Sequence, residues 1–177
     1  VIKAEHPDAR VVFIGPCASK KLEASRRTIR SDVDFVITFE ELTGIFEAKG
    51  ILLDEIRAMD ELKGATGAGR GYGVAGGVAS AIEECVREYY PDVEVHIEHA
   101  ESLSECRKML MLAKAGKKNG CLIEGMACPG GCVAGAGTNI AIPAAAKAVA
   151  SFKAAAAEKI PDPSMHQNRV EQSEKNF

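Results

Sequence analysis

The stretch Cys128-Pro-Gly-Gly-Cys132, near the end of the chain, constrains the fold more than any other feature. Pro129 lacks a backbone N–H and the two glycines readily adopt positive φ, so the strand-like run before them has to end in a tight turn. Such a turn aims two thiols at one point. Thiolates favour zinc, Cu(I) or iron–sulfur centres, and exposed backbone N–H groups stabilise negatively charged sulfur. The stretch therefore predicts a soft-metal site on a loop.

Another cysteine-bearing loop lies near the start of the chain. Residues 11–14 are β-branched and aromatic, which predicts a strand buried on both faces of a parallel sheet. Gly15-Pro16 ends this strand, and Cys17 follows at its carboxyl end, where open α/β sheets place their functional loops. The apolar run at 121–123 is the last expected strand and delivers the cysteine pair. We therefore expect all three sulfurs to meet at the edge of one sheet.

The pattern between these loops predicts an α/β fold with a mostly parallel sheet flanked by helices, since helical segments alternate with short apolar strands. Thr38 with Glu41 and Ser102 with Glu105 form capping boxes, each predicting the start of a helix. Further strands are expected at 34–37 and 93–97, and helices are expected to begin near residues 39, 51, 78, 103 and 141.

The other notable residues predict packing more readily than chemistry. The segment from Gly64 to Gly77 carries seven glycines but lacks the Gly-Lys-Ser/Thr ending of a phosphate-binding loop, so we expect it to pack closely beside the metal site. Cys85, Cys106 and Cys121 fall on inward faces of expected elements, which favours core packing. The four histidines show no metal-ligand spacing with the cysteines.

Composition excludes several classes of protein. A net charge of −3 gives no electrostatic reason to expect a nucleic-acid or anionic-membrane partner, and no apolar run is long enough to span a bilayer. Six cysteines in 177 residues do not make a disulfide scaffold, so we expect a soluble, cytoplasmic protein that uses thiols for metal or redox chemistry. The chain begins with Val1, which suggests a fragment, and 161–177 is expected to be a poorly ordered polar tail.

Two motifs carry a resemblance to a known family. Gly15-Pro-Cys-Ala-Ser-Lys-Lys-Leu-Glu23 (the first motif) and Glu124-Gly-Met-Ala-Cys-Pro-Gly-Gly-Cys132 (the second motif) resemble two of the three signatures of the iron-only (FeFe) hydrogenase large subunit, in the domain that carries the H-cluster. Residues 32–38 and 72–78 resemble further landmarks of that family. The resemblance implies that 1–160 is the C-terminal part, and one lobe, of a hydrogenase catalytic domain.

The resemblance also implies a set of ligands. In the family, four cysteines hold a 4Fe–4S cubane, and one of them bridges to a di-iron subsite with carbon monoxide, cyanide and dithiolate ligands, where protons and electrons combine reversibly to hydrogen. By motif position Cys17, Cys128 and Cys132 would be metal ligands, with Cys132 as the bridge.

The same resemblance places three further residues, Lys20, Met126 and Pro16, in the site. By motif position Lys20 would donate hydrogen bonds to a cyanide ligand, a role that suits an ammonium with three donors and no acceptor. Glu23 would fix that ammonium. Met126 and Pro16 would line the di-iron pocket. The implied catalytic residues are Lys20, Met126 and Cys132.

The sequence also departs from the family pattern. The upstream signature, which holds the fourth cubane cysteine and a proton-relay cysteine, is absent; Gly15 replaces the usual methionine, and 135–139 reads Gly-Ala-Gly-Thr-Asn where the family has Gly-Gly-Gly-Gln-Pro. We therefore expect a labile cluster, and no hydrogen turnover, in the isolated fragment. Alternatives are a sensory module that signals hydrogen or redox state, an iron–sulfur scaffold or assembly protein, and a structural zinc site.

The partners follow from the same reading. We expect the missing N-terminal part of the polypeptide to complete the site, and a ferredoxin or flavoprotein to exchange electrons with the whole protein. Self-association of the truncated lobe is the other expected contact, through the surface that the missing part would cover.

Overall fold

A computed structural model of the chain describes residues 2–26, 32–57 and 65–162. The chain divides into two compact units. Unit 1 comprises residues 1–60, 136–139 and 162–177, and unit 2 comprises residues 61–135 and 140–161.

Unit 1 is built around a two-stranded parallel sheet, in which Val12 lies opposite Phe35 and Ile14 opposite Ile37. Parallel pairing requires a crossover connection, and a helix lies between the two strands in the chain. In chain order its elements are α1 (Ile2–Glu5), β1 (Val12–Ile14), α2 (Ser19–Ser25), β2 (Phe35–Ile37), α3 (Phe39–Ala48) and a 3-10 helix (Leu53–Glu55).

The start of α3 is fixed by the capping box that the sequence predicts. The Thr38 hydroxyl accepts the Glu41 N–H at 3.2 Å, and the Glu41 carboxylate accepts the Thr38 N–H at 2.9 Å. The Lys21 ammonium also binds this carboxylate at 2.5 Å. The Lys21 contact and the Thr38 N–H together lower the pKa of Glu41 to about 2. The helix stops before Gly50, whose φ of +67° suits a residue without a Cβ.

The prediction that the first strand is buried on both faces is wrong. Val12, Phe13 and Ile14 are 43%, 38% and 46% exposed. An apolar strand is buried on both faces only when a layer covers each side of its sheet. Within the described residues of unit 1, the two-stranded sheet lacks a second covering layer.

Unit 2 contains a second parallel pair, with His96 opposite Cys121 and Glu101 opposite Met126. The crossover between its strands is a helix of 12 residues that begins directly after Ser102. In chain order its elements are α4 (Gly67–Arg70), a 3-10 helix (Gly71–Gly73), α5 (Gly77–Tyr89), β3 (His96–Glu101), α6 (Leu103–Lys114), β4 (Cys121–Met126), a 3-10 helix (Cys132–Ala134) and α7 (Ile142–Ala154).

Small side chains form the core of unit 2, because its backbone segments approach one another closely. A Cβ at Gly77 would lie 2.0 Å from the Gly71 carbonyl oxygen, so this contact between the start of α5 and the preceding 3-10 helix requires glycine. The glycine-rich segment therefore packs closely, whereas its expected position beside a metal site stays a prediction. The buried apolar residues are Ala68, Ala79, Ala81, Ala100, Val133, Ala145 and Ala156.

The structure confirms an α/β fold with parallel strands flanked by helices. It corrects the expectation of a single sheet, since the strands of the described residues form two separate pairs. The helix expected from residue 51 is reduced to the 3-10 helix, with 58–64 outside the described residues, and the strand expected at 93–97 begins at His96. Residues 163–177 of the expected tail also lie outside the described residues.

The length and polarity of a helix decide whether it could span a membrane. Among the described residues, every helix is too short or too polar to cross a bilayer.

Candidate metal centre

The second motif forms the tight turn that its sequence predicts. β4 ends at Met126, and Gly130 and Gly131 have φ values of +93° and +91°. The Gly131 N–H donates to the Cys128 carbonyl at 2.9 Å. A 3-10 helix then starts at Cys132. The turn therefore reverses the chain between the two thiols.

The glycine-rich segment supports this turn from one side. The Gly130 carbonyl accepts the Ala75 N–H at 3.0 Å. A Cβ at Gly131 would lie 2.4 Å from the Ala75 nitrogen, far inside contact distance. Gly131 is therefore required both by its φ and by the backbone that packs against it.

A carboxylate supports the turn through its central amide. The Gly130 N–H donates to Glu101 Oε2 at 2.7 Å. Glu101 is the last residue of β3. Sequence reasoning missed this contact, and the only local signal is an acidic residue directly before the capping residue Ser102.

Glu124, the first residue of the second motif, is a buried carboxylate that caps α5. It accepts the N–H groups of Gly76 at 2.5 Å, Val78 at 3.0 Å and Ala79 at 3.1 Å. Glu124 is 9% exposed, and His99 Nδ1 lies 3.3 Å from Glu124 Oε2. An anion at a helix N-terminus satisfies amide donors that lack helical partners. Sequence reasoning missed this role, although a lone carboxylate in an apolar strand was a visible signal.

The thiols of the second motif differ in exposure. Cys128 is half-buried and Cys132 is exposed. Met126, two residues before Cys128, is half-buried, and its carbonyl accepts the Ser102 N–H at 2.8 Å. Unit 2 therefore brings Met126, Cys128 and Cys132 of the predicted site onto one supported loop.

The cysteines outside the two motifs, Cys85, Cys106 and Cys121, are half-buried. Desolvation, with a smaller contribution from Glu84, raises the pKa of the Cys85 thiol. Cys106 Sγ lies 3.7 Å from the Ala100 carbonyl oxygen, a weak hydrogen bond to backbone. Cys121 begins β4. All three lie outside the buried core, so the core packing predicted for them is not confirmed.

The first motif lies in unit 1, at the end of β1 and the start of α2. Cys17 is half-buried. The Lys20 ammonium binds Glu23 Oε2 at 2.7 Å, and both side chains are more than 40% exposed. The pairing expected between these two residues is confirmed. With Phe13 and Val36, they line a cavity of about 100 Å³.

A segment that follows the second motif in the sequence packs against the first motif within unit 1. The Gly137 N–H donates to the Pro16 carbonyl at 2.9 Å, and the Gly137 carbonyl accepts the Glu40 N–H at 3.3 Å. A Cβ at Gly137 would lie 2.5 Å from Thr38 Cβ. Within the divergent 135–139 sequence, this position therefore requires glycine.

The donor chemistry fits an iron–sulfur centre, whereas the described strands form two sheets and not the single sheet that the sequence predicts. Three thiols, two of them on a glycine turn, are ligands that such centres use. Across residues 2–26, 32–57 and 65–162, no group of three His, Cys, Asp or Glu side chains is arranged to hold a metal ion. Among the described strands, the one before Cys17 and the one before the cysteine pair belong to different sheets. The convergence of the three thiols stays a prediction.

Comparison with known proteins identifies the family. The profile of the iron only hydrogenase large subunit, C-terminal domain, matches residues 1–136. The chain belongs to the iron-only hydrogenase family. Its sequence is 32% identical to an NADP-reducing hydrogenase subunit, HndD, of Solidesulfovibrio fructosivorans, over 72% of this chain and 27% of that protein. The chain thus spans about a quarter of the length of this curated relative.

Solved structures of FeFe-hydrogenases share the fold. A variant of HydA1 from Chlamydomonas reinhardtii matches with a TM-score of 0.60 at 22% identity, covering 94% of this chain and 60% of that one. An FeFe-hydrogenase studied for oxygen inactivation through its H cluster 2Fe subcluster matches with a TM-score of 0.58 at 22% identity, covering 91% and 58%. At this identity the likeness concerns the fold.

Proposed function

We propose that this chain is the part of an iron-only hydrogenase catalytic domain that supplies most of the protein ligands of the H-cluster. The observation that carries the proposal is the Cys128–Cys132 turn, which two glycines at positive φ allow and which backbone and carboxylate contacts hold. Membership of the family supports the assignment of that turn to an iron–sulfur centre.

Three cysteines would hold the cofactor in the full-length protein. Cys17, Cys128 and Cys132 would ligate the 4Fe–4S cubane, and Cys132 would also bridge to the di-iron subsite. When bound, the cluster supplies the reversible combination of protons and electrons to hydrogen. The chain contributes the thiolates and the supports that hold them, and the fourth ligand comes from outside this sequence.

Lys20 would serve as a hydrogen-bond donor to a diatomic ligand. Its ammonium carries three donors, and Glu23 takes one of them at 2.7 Å. The pairing restricts a long flexible side chain to a direction set by α2. Two donors then remain for an acceptor such as cyanide.

Met126 and Pro16 would form apolar walls that exclude water from the di-iron subsite. The backbone of each residue is held by one hydrogen bond: the Met126 carbonyl accepts the Ser102 N–H, and the Pro16 carbonyl accepts the Gly137 N–H. Outer-shell contacts of this kind control solvent access and the orientation of ligands. The proposal therefore assigns Gly137 a role in placing Pro16.

The activity and partners of the whole protein are part of the proposal. Because the relatives extend well beyond this chain, an N-terminal part of the polypeptide would complete the pocket. Electrons would pass through a ferredoxin or flavoprotein, in the cytoplasm. Self-association of this chain would occur through the face that the N-terminal part covers.

The test is anaerobic reconstitution of the 177-residue chain with ferrous iron and sulfide, followed by measurement of bound iron, sulfide and visible absorption. Cys17→Ser, Cys128→Ser and Cys132→Ser should each lower cluster content, whereas Cys85→Ser is the matched control and should not. Zinc retention without visible absorption would contradict the proposal and favour a structural zinc site.

The matured parent protein separates the remaining functions. Carbonyl and cyanide infrared bands are expected, and bound iron and sulfide without these bands would favour a scaffold. Bands without hydrogen turnover would favour the sensory alternative, which the divergent residues Gly15 and 135–139 support.

A further inference from the structure

Glu101 contacts the Cys128–Cys132 turn at its centre. Its Oε2 accepts the Gly130 N–H at 2.7 Å. Hydrogen bonds between an amide and a carboxylate are shorter and stronger than neutral ones. A turn made of two glycines at positive φ has few conformational restraints of its own, so a bond at its central amide restrains both flanking thiols.

The backbone that carries this carboxylate is itself held in place. Glu101 lies opposite Met126 in the strand register, and its N–H donates to Glu105 Oε2 at 2.9 Å. The next residue, Ser102, has φ of +99°, which a residue with a Cβ rarely adopts. Its N–H nevertheless donates to the Met126 carbonyl at 2.8 Å. The surrounding contacts therefore hold a strained turn directly beside Glu101.

Two further contacts of the turn are between backbone groups. The Gly131 N–H is taken by the Cys128 carbonyl, and the Gly130 carbonyl is taken by the Ala75 N–H. Glu101 is thus the side chain that completes a set of backbone contacts around the turn. This arrangement resembles the outer-shell contacts that orient metal ligands.

We propose that Glu101 is the positioning residue of the Cys128–Cys132 pair: its carboxylate holds the Gly130 amide and thereby fixes the geometry in which the two sulfurs bind metal. The identity of that metal centre rests on the proposed function, whereas the positioning of the sulfurs does not.

The experiment uses the full 177-residue chain without cluster and has two readouts. The first is amide hydrogen exchange at Gly130. The second is Cd²⁺ affinity, followed by thiolate-to-metal absorption, with Cys128→Ser showing that the signal belongs to the pair. Glu101→Ala should accelerate exchange at Gly130 and weaken Cd²⁺ binding by about 10- to 100-fold, as outer-shell losses do. Glu98→Gln is the control, since this residue of the same strand pairs with Lys118 instead.

Glu101→Gln keeps an acceptor for the Gly130 amide and should rescue part of the loss in both readouts. If Glu101→Ala does not fold, faster exchange at Gly130 in Glu101→Gln than in Glu98→Gln supports the proposal, and equal exchange overturns it.

Unchanged exchange in a folded Glu101→Ala also overturns the proposal. Faster exchange with unchanged Cd²⁺ affinity does so too, because the contact would then not position the sulfurs. If Cd²⁺ binding follows the expected pattern but the chain takes up no iron and sulfide, the proposed function fails while the role of Glu101 stands.

Discussion

The two units of this chain obtain their order in different ways. All the buried apolar side chains among the described residues belong to unit 2, and nearly all are alanines. In unit 1 the large apolar residues of β1 are exposed. Among the described residues of this unit, the buried side chain is that of Thr38. Within this chain, close approach of backbone segments therefore buries small residues, whereas large apolar strands need a further layer.

One carboxylate in each unit shows a similar difference, between contacts at the surface and contacts in the interior. In unit 1, Asp34 accepts the Val11 N–H at 2.8 Å and pairs with Lys3 and Arg10 at the surface. In unit 2, Glu124 is buried and its partners include three backbone amides at the start of α5. Ions from the solvent can replace the cations that pair with a surface carboxylate, but they cannot replace buried backbone amides. We expect unit 2 to be the more sensitive to substitution.

The sharpest test of this comparison is a methyl group added to each unit. Gly131→Ala should destabilise the chain by about 3 kcal/mol, since overpacking and strain at positive φ each cost about 1 to 3 kcal/mol. The new Cβ would lie 2.4 Å from the Ala75 nitrogen. Urea denaturation of the full chain measures the change.

Gly44→Ala in unit 1 is the matched control. A Cβ at this position in α3 would meet nothing within 4 Å. Alanine should therefore stabilise the helix by about 0.5 to 1 kcal/mol. Similar losses at both positions would break the proposed difference between the units.

Removal of the buried cap should have the next largest effect. Glu124→Ala leaves three amide donors without their carboxylate, so we expect a loss of about 2 to 3 kcal/mol in the free energy of unfolding. Glu124→Gln keeps one acceptor oxygen and should lose less. A change within about 0.5 kcal/mol for Glu124→Ala, the range of ordinary surface sites, would contradict the role assigned to this residue.

The smallest effect is expected at Asp34, and it depends on pH. The Val11 N–H, with Lys3 and Arg10, lowers the pKa of Asp34 to about 2, against about 3.9 in an unfolded chain. Because the folded-state pKa is depressed, its stabilisation is present above pH ~4 and is lost as pH falls toward ~2. Thermal melts of Asp34→Asn should show a weaker dependence on pH in this window.

Asp8→Asn is the control for this prediction, since it removes the same charge from an exposed position of unit 1. Equal pH dependence in Asp34→Asn and the unaltered chain would show that the Asp34 cluster contributes nothing.

Several features were predictable because they depend on neighbours in the chain. The Thr38–Glu41 capping box and the turn at Gly130 and Gly131 follow from hydrogen bonds and φ preferences within a few residues. The paired Lys20 and Glu23 lie one helical turn apart, which also makes their contact local. Features of this range can be read directly from the residues involved.

Other features were missed because they join distant parts of the sequence. Glu124 meets the start of α5, and Glu101 meets Gly130, through folding of unit 2 alone. The exposure of β1 was mispredicted because an apolar run shows that a strand can be buried but not that a covering layer exists.

By itself, the sequence determined the α/β class, the family and the two cysteine motifs, since periodicity, turn residues and ligand types are local properties of the chain. Tertiary structure alone decided that the described strands form two pairs, that Glu124 is buried against the start of α5, and that Glu101 supports the cysteine turn. Those outcomes depend on which backbone segments can approach closely enough to exclude a side chain, and that is set only when the chain is folded.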